Sequence, residues 1–289
     1  MRAPVVSSKV RHVILSLLAG LSLTTQAGDK AFKVCADPNN PPQSVKDGSG
    51  YENKIAEAIA QDFGQPLEYY WFPQRLGFIR NTLKAKVEED SKDYKCDVVM
   101  GVPTGFELAA TTQPYYRSTY VMVIKKGGVL DTVKAPADLD QLPAEAKAKL
   151  RIAMFDGAPG TTWLMNHHLL GQGIPYQSMT GDVNTNTGKT LAQDFADGKL
   201  DMVIIWGPIA GYLARQQPGA FELIPMQSEP GLRFDFPISM GVRFPDKERK
   251  QQLDAWIARN GPRIEAILRE YQVPLVQAPD APQTGKDKD

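Results

Sequence analysis

The sequence predicts an α/β protein made of two lobes that two crossing strands join. Strand-like and helix-like segments alternate from residue 32 to residue 102, which is the order of a parallel sheet with helical crossovers. A second alternating series runs from residue 149 to residue 226. Strand-like runs at 120–124 and 237–244 follow the two series, as a chain that crosses to a second lobe and returns requires.

The N-terminus has the pattern of a secretory signal peptide. Arg2, Lys9 and Arg11 give a positive start, an apolar run extends from Val13 to Leu23, and Ala27 is a small residue suited to cleavage. The apolar run is too short to span a bilayer. We therefore predict an exported protein without a membrane span.

Composition excludes some function classes. Without the three basic residues of the predicted signal peptide, 30 basic residues stand against 33 acidic ones, a net charge of −3. A nearly neutral chain without a basic cluster gives no reason to expect nucleic-acid binding. Roughly 260 mature residues are enough for one large domain or for two lobes with full cores.

The first strand and the first helix have clear boundaries. Phe32–Ala36 is predicted to be a strand, and a long turn leads to a helix at Tyr51–Phe63, which Gly64 ends. Leu67–Phe72 is the second predicted strand, and Pro73 breaks it.

A second helix and a third strand complete the first series. Four apolar residues at helical spacing predict the buried face of that helix: Leu76, Ile79, Leu83 and Val87. The third strand runs from Cys96 to Val102 and ends in a turn with Gly101 and Pro103. Tyr120–Ile124 is predicted to cross to the second lobe, near Ile124–Gly128.

The elements of the second series and of the crossing back to the first lobe are predicted from the same signals. Strands are predicted at 149–155, 200–206 and 221–226, helices at the GTT segment (160–162) and around Leu191, a return crossing at 237–244, and terminal helices at 246–259 and 262–271. The predicted organisation is a signal peptide (1–27), a discontinuous first lobe (28–125 plus 240–275), a second lobe (126–239) and a disordered tail (276–289).

Cys35 and Cys96 are the two cysteines. An exported protein can form a disulfide. Cys35 lies near the end of its strand, however, whereas Cys96 opens its strand about five residues before the matching loop. At ~3.3 Å per residue this places their Cα atoms beyond the roughly 7 Å limit for bridging. We expect two buried thiols.

Several segments resemble a known family. The strand, the polar loop, Pro114-Tyr115-Tyr116 and the second strand within residues 96–126 resemble the type II periplasmic solute-binding proteins. The mature chain also resembles a narrower group, the quinoprotein dehydrogenase-associated solute-binding proteins of methanol-oxidising bacteria, of the MxaJ/XoxJ type. The segments that carry this resemblance are CADPNNPP, GYENKIAEAIAQDFG, YYWFPQRLGFIRNTLKA, CDVVMGVPTG and TTQPYYRSTYVMVIKK.

The resemblance implies a fold and a partner. It implies two Rossmann-like lobes and a periplasmic accessory of a PQQ-dependent methanol dehydrogenase, of the calcium or lanthanide type, with its cytochrome as a further partner. Pro42-Gln43-Ser44 departs from the usual Pro-Phe-Ser of the family. Residues in the family-specific segments are candidate partner anchors, namely Phe78, Arg80, Tyr116 and Arg117.

In such a fold the ligand site lies between the lobes, outside the carboxyl ends of the strands. The candidate ligand-binding residues are Asp37, Asn39, Arg75, Gly101, Pro103, Thr104 and Tyr115 on one side and Gly160, Thr161, Thr162 and Trp206 on the other. The GTT segment at a helix start is either an anion site or an ordinary helix cap.

The cleft departs from that of the amino-acid receptors. Those receptors carry an Arg where this chain has Gly105 and an Asp where it has Trp206. An α-amino acid would lose two charge-assisted contacts of roughly 1.5–3 kcal/mol each. Trp206, with Trp71, Tyr115 and Trp163, indicates either an aromatic cleft or rings that pack in the cores.

Catalysis has little support in the sequence. After the predicted signal peptide, His167 and His168 are the two remaining histidines, and they are adjacent. The sequence contains no zinc-spaced His pair and no G-x-S-x-G, P-loop or EF-hand motif. We expect a non-catalytic protein without a cofactor or metal of its own. The alternatives are a receptor that delivers an apolar or aromatic solute to a membrane transporter and an enzyme on the same scaffold.

Overall fold

A computed structural model of the chain describes residue 1 and residues 30–178, 182 and 184–277. The predicted signal peptide, apart from Met1, and the predicted tail from residue 278 lie outside the described residues. Val276 belongs to the described part, and its backbone N–H donates to the carbonyl oxygen of Arg117 at 3.1 Å. Among the described helices, none is both long and apolar enough to cross a membrane.

Strands and helices alternate along the chain as the sequence predicts. The strands are Phe32–Ala36 (β1), Asn39–Asn40 (β2), Ser44–Val45 (β3), Leu67–Trp71 (β4), Val98–Pro103 (β5), Ala110–Thr111 (β6), Tyr116–Lys125 (β7), Ile152–Phe155 (β8), Gly173–Tyr176 (β9), Met202–Trp206 (β10), Phe221–Pro225 (β11) and Asp235–Val242 (β12). The α-helices are Tyr51–Phe63 (α1), Phe78–Asn81 (α2), Ala144–Lys147 (α3), Pro159–Asn166 (α4), Thr187–Ala196 (α5), Gly207–Gln216 (α6) and Lys247–Glu270 (α7). Short 3-10 helices cover Pro136–Gln141 and Leu170–Gln172.

The main sheet follows the order β4-β1-β5-β12-β7-β10-β8-β9. β1 pairs in parallel with β4 and β5, and β8 pairs in parallel with β9 and β10. The first parallel group has the three strands that the alternating pattern predicts. The second differs from the prediction: β9 is not predicted, and β11, which corresponds to the strand predicted at 221–226, pairs antiparallel with β7. Below, the first lobe means β1–β5 with α1, α2 and α7, and the second lobe means β8–β11 with α3–α6; the exact lobe boundaries remain a prediction.

The long strand β7 changes partners along its length. Its first part pairs with β12, up to Thr119 opposite Asp235. From Tyr120 onward it pairs with β10, and Val121–Lys125 also pairs with β11. The change from one partner set to the other therefore takes place at Thr119–Tyr120, whereas β12 connects β7 to β5 at Ile238.

Apolar side chains cover both faces of the first-lobe sheet because residues along each strand alternate between the faces. Phe32 and Val34 of β1 pack with α1 and α7, including Trp256, which is fully buried. Cys35 points to the opposite face and packs with Ile79 and Leu83. In α7 the two predicted terminal helices are merged across a kink at Asn260, two residues before Pro262.

The second predicted helix is much shorter than its apolar spacing indicates. Ile79 and Leu83 are buried, but Leu76 is 96% exposed and Val87 is 54% exposed, so the prediction of one long buried face is wrong. Helix α2 spans four residues, because Gly77 before it has a φ of +84° and the residue after it leaves helical geometry. Leu76 therefore remains on the surface.

Cys35 and Cys96 form a disulfide, with Cα atoms 5.4 Å apart, so the expectation of two buried thiols is wrong. That expectation placed Cys96 inside an extended strand parallel to β1. In the structure β5 begins only at Val98, which pairs with Val34. Cys96 lies before the strand and packs with Cys35 on the same face of the sheet. The chain reaches the sheet from that face, which brings the two residues together.

Candidate functional site

A cavity of about 560 Å³ lies at the carboxyl ends of β1 and β5. Its wall consists almost entirely of the first lobe, and Trp206 at the end of β10 is the second-lobe residue that lines it. The first-lobe wall comes from the end of β1 and its following turn, the start of α1, the segment from Gln74 to Arg80, and β5 with the loop to Leu108. This is the sheet edge at which the fold predicts a ligand site.

The structure brings together some of the predicted site residues. Those that line the cavity are Asp37, Arg75, Gly101, Pro103 and Trp206, together with Phe78 and Arg80, which the sequence assigned to partner binding. The other predicted ligand residues do not line it, namely Asn39, Thr104, Tyr115, Gly160, Thr161 and Thr162. Their role in ligand binding remains a prediction.

Asp37 fixes two loops at the cavity mouth. Its Oδ1 accepts a hydrogen bond from the backbone N–H of Asn39 at 2.7 Å, and its Oδ2 accepts one from the backbone N–H of Gln74 at 2.5 Å. Both carboxylate oxygens are therefore engaged by backbone. Asp37 positions the segment that carries Arg75 and Leu76.

Gly101 is required where β5 meets the start of α1. Its φ is +67°, and a Cβ on this residue would lie 2.2 Å from Oε1 of Glu52. Its backbone N–H donates to the hydroxyl of Tyr115 at 3.2 Å. Gly101 thus lets a carboxyl approach the backbone closely, and Tyr115 supports it from behind the cavity wall.

Glu52 is the ionisable cavity residue that sequence reasoning missed. It lies in the first turn of α1, where an acid is ordinary because it complements the helix dipole. Its side chain reaches the cavity, and burial raises the pKa of its carboxyl to about 8. A signal was available, because Ala56, Ile59 and Phe63 share its helix face and pack in the core. An acid on that apolar stripe is unusual.

The second-lobe residues of the GTT segment are engaged locally. The hydroxyl of Thr161 donates to the carbonyl oxygen of Phe155 at 2.7 Å and accepts from the backbone N–H of Phe155 at 3.1 Å. The backbone N–H groups of Thr161 and Thr162 donate to the carbonyl oxygen of Ala158. Gly160 packs against Ile204. The hydroxyl of Thr161 and the backbone N–H groups of Thr161 and Thr162 are thus engaged within the lobe in this conformation.

The aromatic residues divide between cavity and core. Trp206 lines the cavity, and its ring lies 5.6 Å from that of Tyr120. Trp163 is fully buried in the second lobe and stacks on His167 at 3.8 Å. Trp71 stacks on Tyr69. The remaining aromatic rings that line the cavity are Phe78 and Phe106, which the sequence did not assign to it.

Asn39 connects the two lobes instead of lining the cavity. Its Oδ1 accepts from Nζ of Lys189 at 2.7 Å and from Nδ2 of Asn186 at 3.3 Å. Asn186 is the N-cap of α5 and accepts from the backbone N–H of Lys189. These contacts link the turn after β1 to α5 across the cleft.

The predicted partner anchors have different surroundings. Arg80 is exposed and Phe78 is half-buried, and both lie at the cavity. Tyr116 is 8% exposed, and its hydroxyl lies 3.0 Å from that of Tyr51. Arg117 forms an ion pair with Asp235. In this conformation Tyr116 offers almost no surface to a partner, whereas Arg80 and Phe78 do.

The composition and volume of the cavity suit a small-molecule binding site. Across the described ranges, no group of three His, Cys, Asp or Glu side chains could hold a metal ion. The cavity combines apolar walls with a few polar groups at its floor and mouth, which is the usual composition of a small-molecule site. Its volume also lies within the range of ~300–1,000 Å³ for such sites.

Comparison with known proteins places the chain among periplasmic binding proteins. The crystal structure of the periplasmic binding protein XoxJ from Methylobacterium extorquens AM1 is 34% identical, with a TM-score of 0.67, and the match covers 86% of this chain and 100% of that protein. MoxJ of Methylorubrum extorquens is 28% identical over 261 residues, which are 85% of this chain and 81% of MoxJ. MoxJ of Paracoccus denitrificans is 26% identical over 253 residues, covering 85% and 89%. No protein-family profile matches the chain.

Proposed function

Because the chain belongs to the XoxJ and MoxJ family of periplasmic binding proteins, we propose that it is a non-catalytic periplasmic partner of a PQQ-dependent methanol dehydrogenase. The observation that carries this proposal is the 34% identity to XoxJ over the whole of that protein. The resemblance to the dehydrogenase-associated group supplies the partner, of the calcium or lanthanide type. The chain assists activation of the dehydrogenase or the loading of its cofactor or metal.

The rim of the first-lobe cavity supports a contact surface for this partner. Leu76 is 96% exposed and Leu108 is 50% exposed, and both line the cavity with Phe78 and Arg80. Exposed apolar side chains next to an Arg are typical of protein-binding surfaces, where a few such residues dominate the affinity. A transient complex of this kind buries roughly 1,200–2,000 Å² in total.

Deletion of the gene tests the biological role. We expect lower methanol-dependent dehydrogenase activity in periplasmic extracts and a smaller fraction of dehydrogenase that contains PQQ and metal. Re-expression of the wild-type chain should restore both. If the deletion leaves dehydrogenase activity intact but abolishes the uptake of one solute, the proposal fails and a transport receptor is the better description.

Two substitutions at the cavity rim test the proposed contact surface for the dehydrogenase. Leu76→Asp should weaken capture of the purified dehydrogenase at least tenfold, and Arg80→Glu should weaken it to a smaller extent. Val87→Asp is the control, because Val87 is also exposed in the first lobe but does not line the cavity. Equal losses for Leu76→Asp and Val87→Asp would place the contact surface elsewhere.

A second candidate function is delivery of an apolar or aromatic solute to a membrane transporter. The cavity of about 560 Å³, with Phe78, Phe106 and Trp206 in its walls, favours this candidate. A thermal-shift screen of aromatic solutes and PQQ separates the two functions. A solute bound with micromolar affinity, together with loss of its uptake in the deletion strain, would support the receptor.

A further inference from the structure

The carboxyl of Glu52 reaches the cavity without a cation to pair with. Within the part of the chain that the structure describes, no Lys, Arg or His lies within ion-pair distance of it, and its side chain makes no hydrogen bond. Buried carboxyls normally have such partners, because their desolvation is costly. A ligand is one way to supply the missing partner.

A second acceptor lies beside Glu52. Oε1 of Gln43 is buried and has no hydrogen-bond partner, and Gln43 also lines the cavity. The backbone N–H of Glu52 donates to the carbonyl oxygen of Gln43 at 2.9 Å, which holds the two residues next to each other. When Glu52 is ionised, the cavity therefore offers two neighbouring acceptor groups without donors.

We propose that Glu52 and Gln43 bind the protonated amino group of a small organic cation whose apolar body occupies the cavity. A primary ammonium carries three N–H donors, enough to serve both acceptors at once. The apolar part of the ligand would contact the side chains of Leu76, Phe78, Phe106, Leu108 and Trp206. This inference goes beyond the proposed dehydrogenase partnership and does not depend on it.

Among Glu52 and the four tyrosines near it, only the Glu52 carboxyl should lose a proton when the cation binds between pH 6 and pH 8. The ionisable groups that face Glu52 or share its cavity are the hydroxyls of Tyr51, Tyr69, Tyr115 and Tyr116, the carboxylate of Asp37, and the guanidinium groups of Arg75 and Arg80. Burial raises the pKa of each of these four tyrosines, so they stay neutral between pH 6 and pH 8. Burial also raises the pKa of Glu52 to about 8.

These pKa values give the direction of the pH dependence. Below pH 8 the carboxyl of Glu52 is mostly protonated in the empty cavity, and it must lose this proton to pair with an ammonium. Affinity for the cation should therefore rise between pH 6 and pH 8, by up to about tenfold per pH unit. A neutral ligand of the same shape should show no such rise.

Calorimetry with benzylamine and benzyl alcohol tests the inference on the isolated protein. Benzylamine should bind the wild type at pH 8 with a Kd below ~1 mM and at least tenfold more weakly at pH 6. At pH 7, titrations in buffers of different ionisation enthalpy should show release of about one proton per ligand bound. Benzyl alcohol should bind more weakly at pH 8 and equally at both pH values.

Two substitutions assign the effect to the carboxyl. Glu52→Gln keeps the shape of the side chain and should weaken benzylamine binding at least tenfold at pH 8 and abolish its pH dependence. Glu68→Gln is the matched control, because Glu68 is an exposed acid on β4 that does not line the cavity, and it should behave as the wild type. Gln43→Leu should weaken benzylamine binding without removing its pH dependence.

Three results would overturn the inference. The first is equal affinity for benzylamine and benzyl alcohol at pH 8. The second is a Glu52→Gln variant that folds, as judged by circular dichroism, and still binds benzylamine as tightly as the wild type. The third is the absence of binding tighter than ~1 mM for both benzylamine and phenethylamine. None of these results bears on capture of the dehydrogenase, so the two proposals fail separately.

Discussion

The two walls of the cleft differ in how their polar groups are satisfied. In the second lobe the hydroxyl of Thr161 both donates to and accepts from the backbone of Phe155. In the first lobe Oε1 of Gln43 is buried without a hydrogen-bond partner, and the carboxyl of Glu52 lines the cavity without a cationic partner among the described residues. Satisfied groups stabilise a fold, whereas unsatisfied ones at a cavity leave affinity for a ligand. From this comparison we infer that the first lobe supplies the polar binding groups of the cleft.

The two lobes also differ in covalent support. Both cysteines of the sequence belong to the first lobe, and their disulfide connects the end of β1 to the segment before β5. Cys35 itself lines the cavity. The second lobe relies on packing, with Trp163 and Phe195 fully buried. The wall with the unsatisfied groups is therefore also the wall that is fixed covalently.

Among the changes considered, reduction of the disulfide should have the largest effect on stability, and it should act mainly on the first lobe. The two cysteines are 61 residues apart in sequence, and closing a loop of that length stabilises the folded state by ~4 kcal/mol in the chain-entropy description. We expect reduction to lower the free energy of unfolding by about this amount, measured by guanidinium titration. Hydrogen exchange should show loss of protection at residues 32–103 and little change at residues 150–206.

The variant that carries Cys35→Ala together with Cys96→Ala is the control for reduction. Its stability should be close to that of the reduced wild type and insensitive to a reducing agent. If reduction instead lowered protection equally in both lobes, the disulfide would support the whole molecule and the contrast between the lobes would disappear.

The sequence predicts the overall plan of the molecule but only part of the cavity. The alternating elements predict the first parallel group and the strands β8 and β10 of the second, and the position of Trp206 at the end of its strand places it at the cavity. Both follow from periodicity and chain order, which are local properties. Tyr115 and Trp163 do not line the cavity, because the rings pack inside their own lobes.

The failures have a common physical cause. The disulfide depends on the path by which Cys96 approaches the sheet, and the length of α2 depends on the positive φ of Gly77. Glu52 reads as an ordinary acid in the first turn of a helix until Gly101 is seen to make room for it. In each case the deciding contact joins segments that are distant in sequence or depends on one backbone conformation.

Glu52→Gln should have the next largest effect on stability, and the size of this effect depends on pH. Because the folded pKa of about 8 lies above the ordinary value of 4.5, the wild type loses stability as pH rises from 4.5 to 8. The glutamine variant has no proton to lose. We expect it to be more stable than the wild type at pH 8, by on the order of 1–3 kcal/mol, and nearly equal to it at pH 4.5.

Thermal unfolding of both proteins from pH 4.5 to pH 9 measures this difference. Glu68→Gln is again the reference, because it makes the same change at an exposed acid outside the cavity. If Glu52→Gln were less stable than the wild type at pH 8, the carboxylate would have a stabilising partner within the protein. The polar groups on the first-lobe side of the cleft would then have partners within the protein, as Thr161 has on the second-lobe side.

Thr161→Val should have the smallest effect on the free energy of unfolding, and it tests the second-lobe side of the cleft directly. Valine has nearly the shape of threonine but leaves the N–H and C=O of Phe155 without their hydroxyl partner. We expect a loss of ~1 kcal/mol in the free energy of unfolding, with unchanged affinity for benzylamine and unchanged capture of the dehydrogenase. Stabilisation by added phosphate or sulfate should also equal that of the wild type. A folded Thr161→Val variant that lost this anion effect would show that the GTT segment binds a ligand, and binding would then be shared between the two walls.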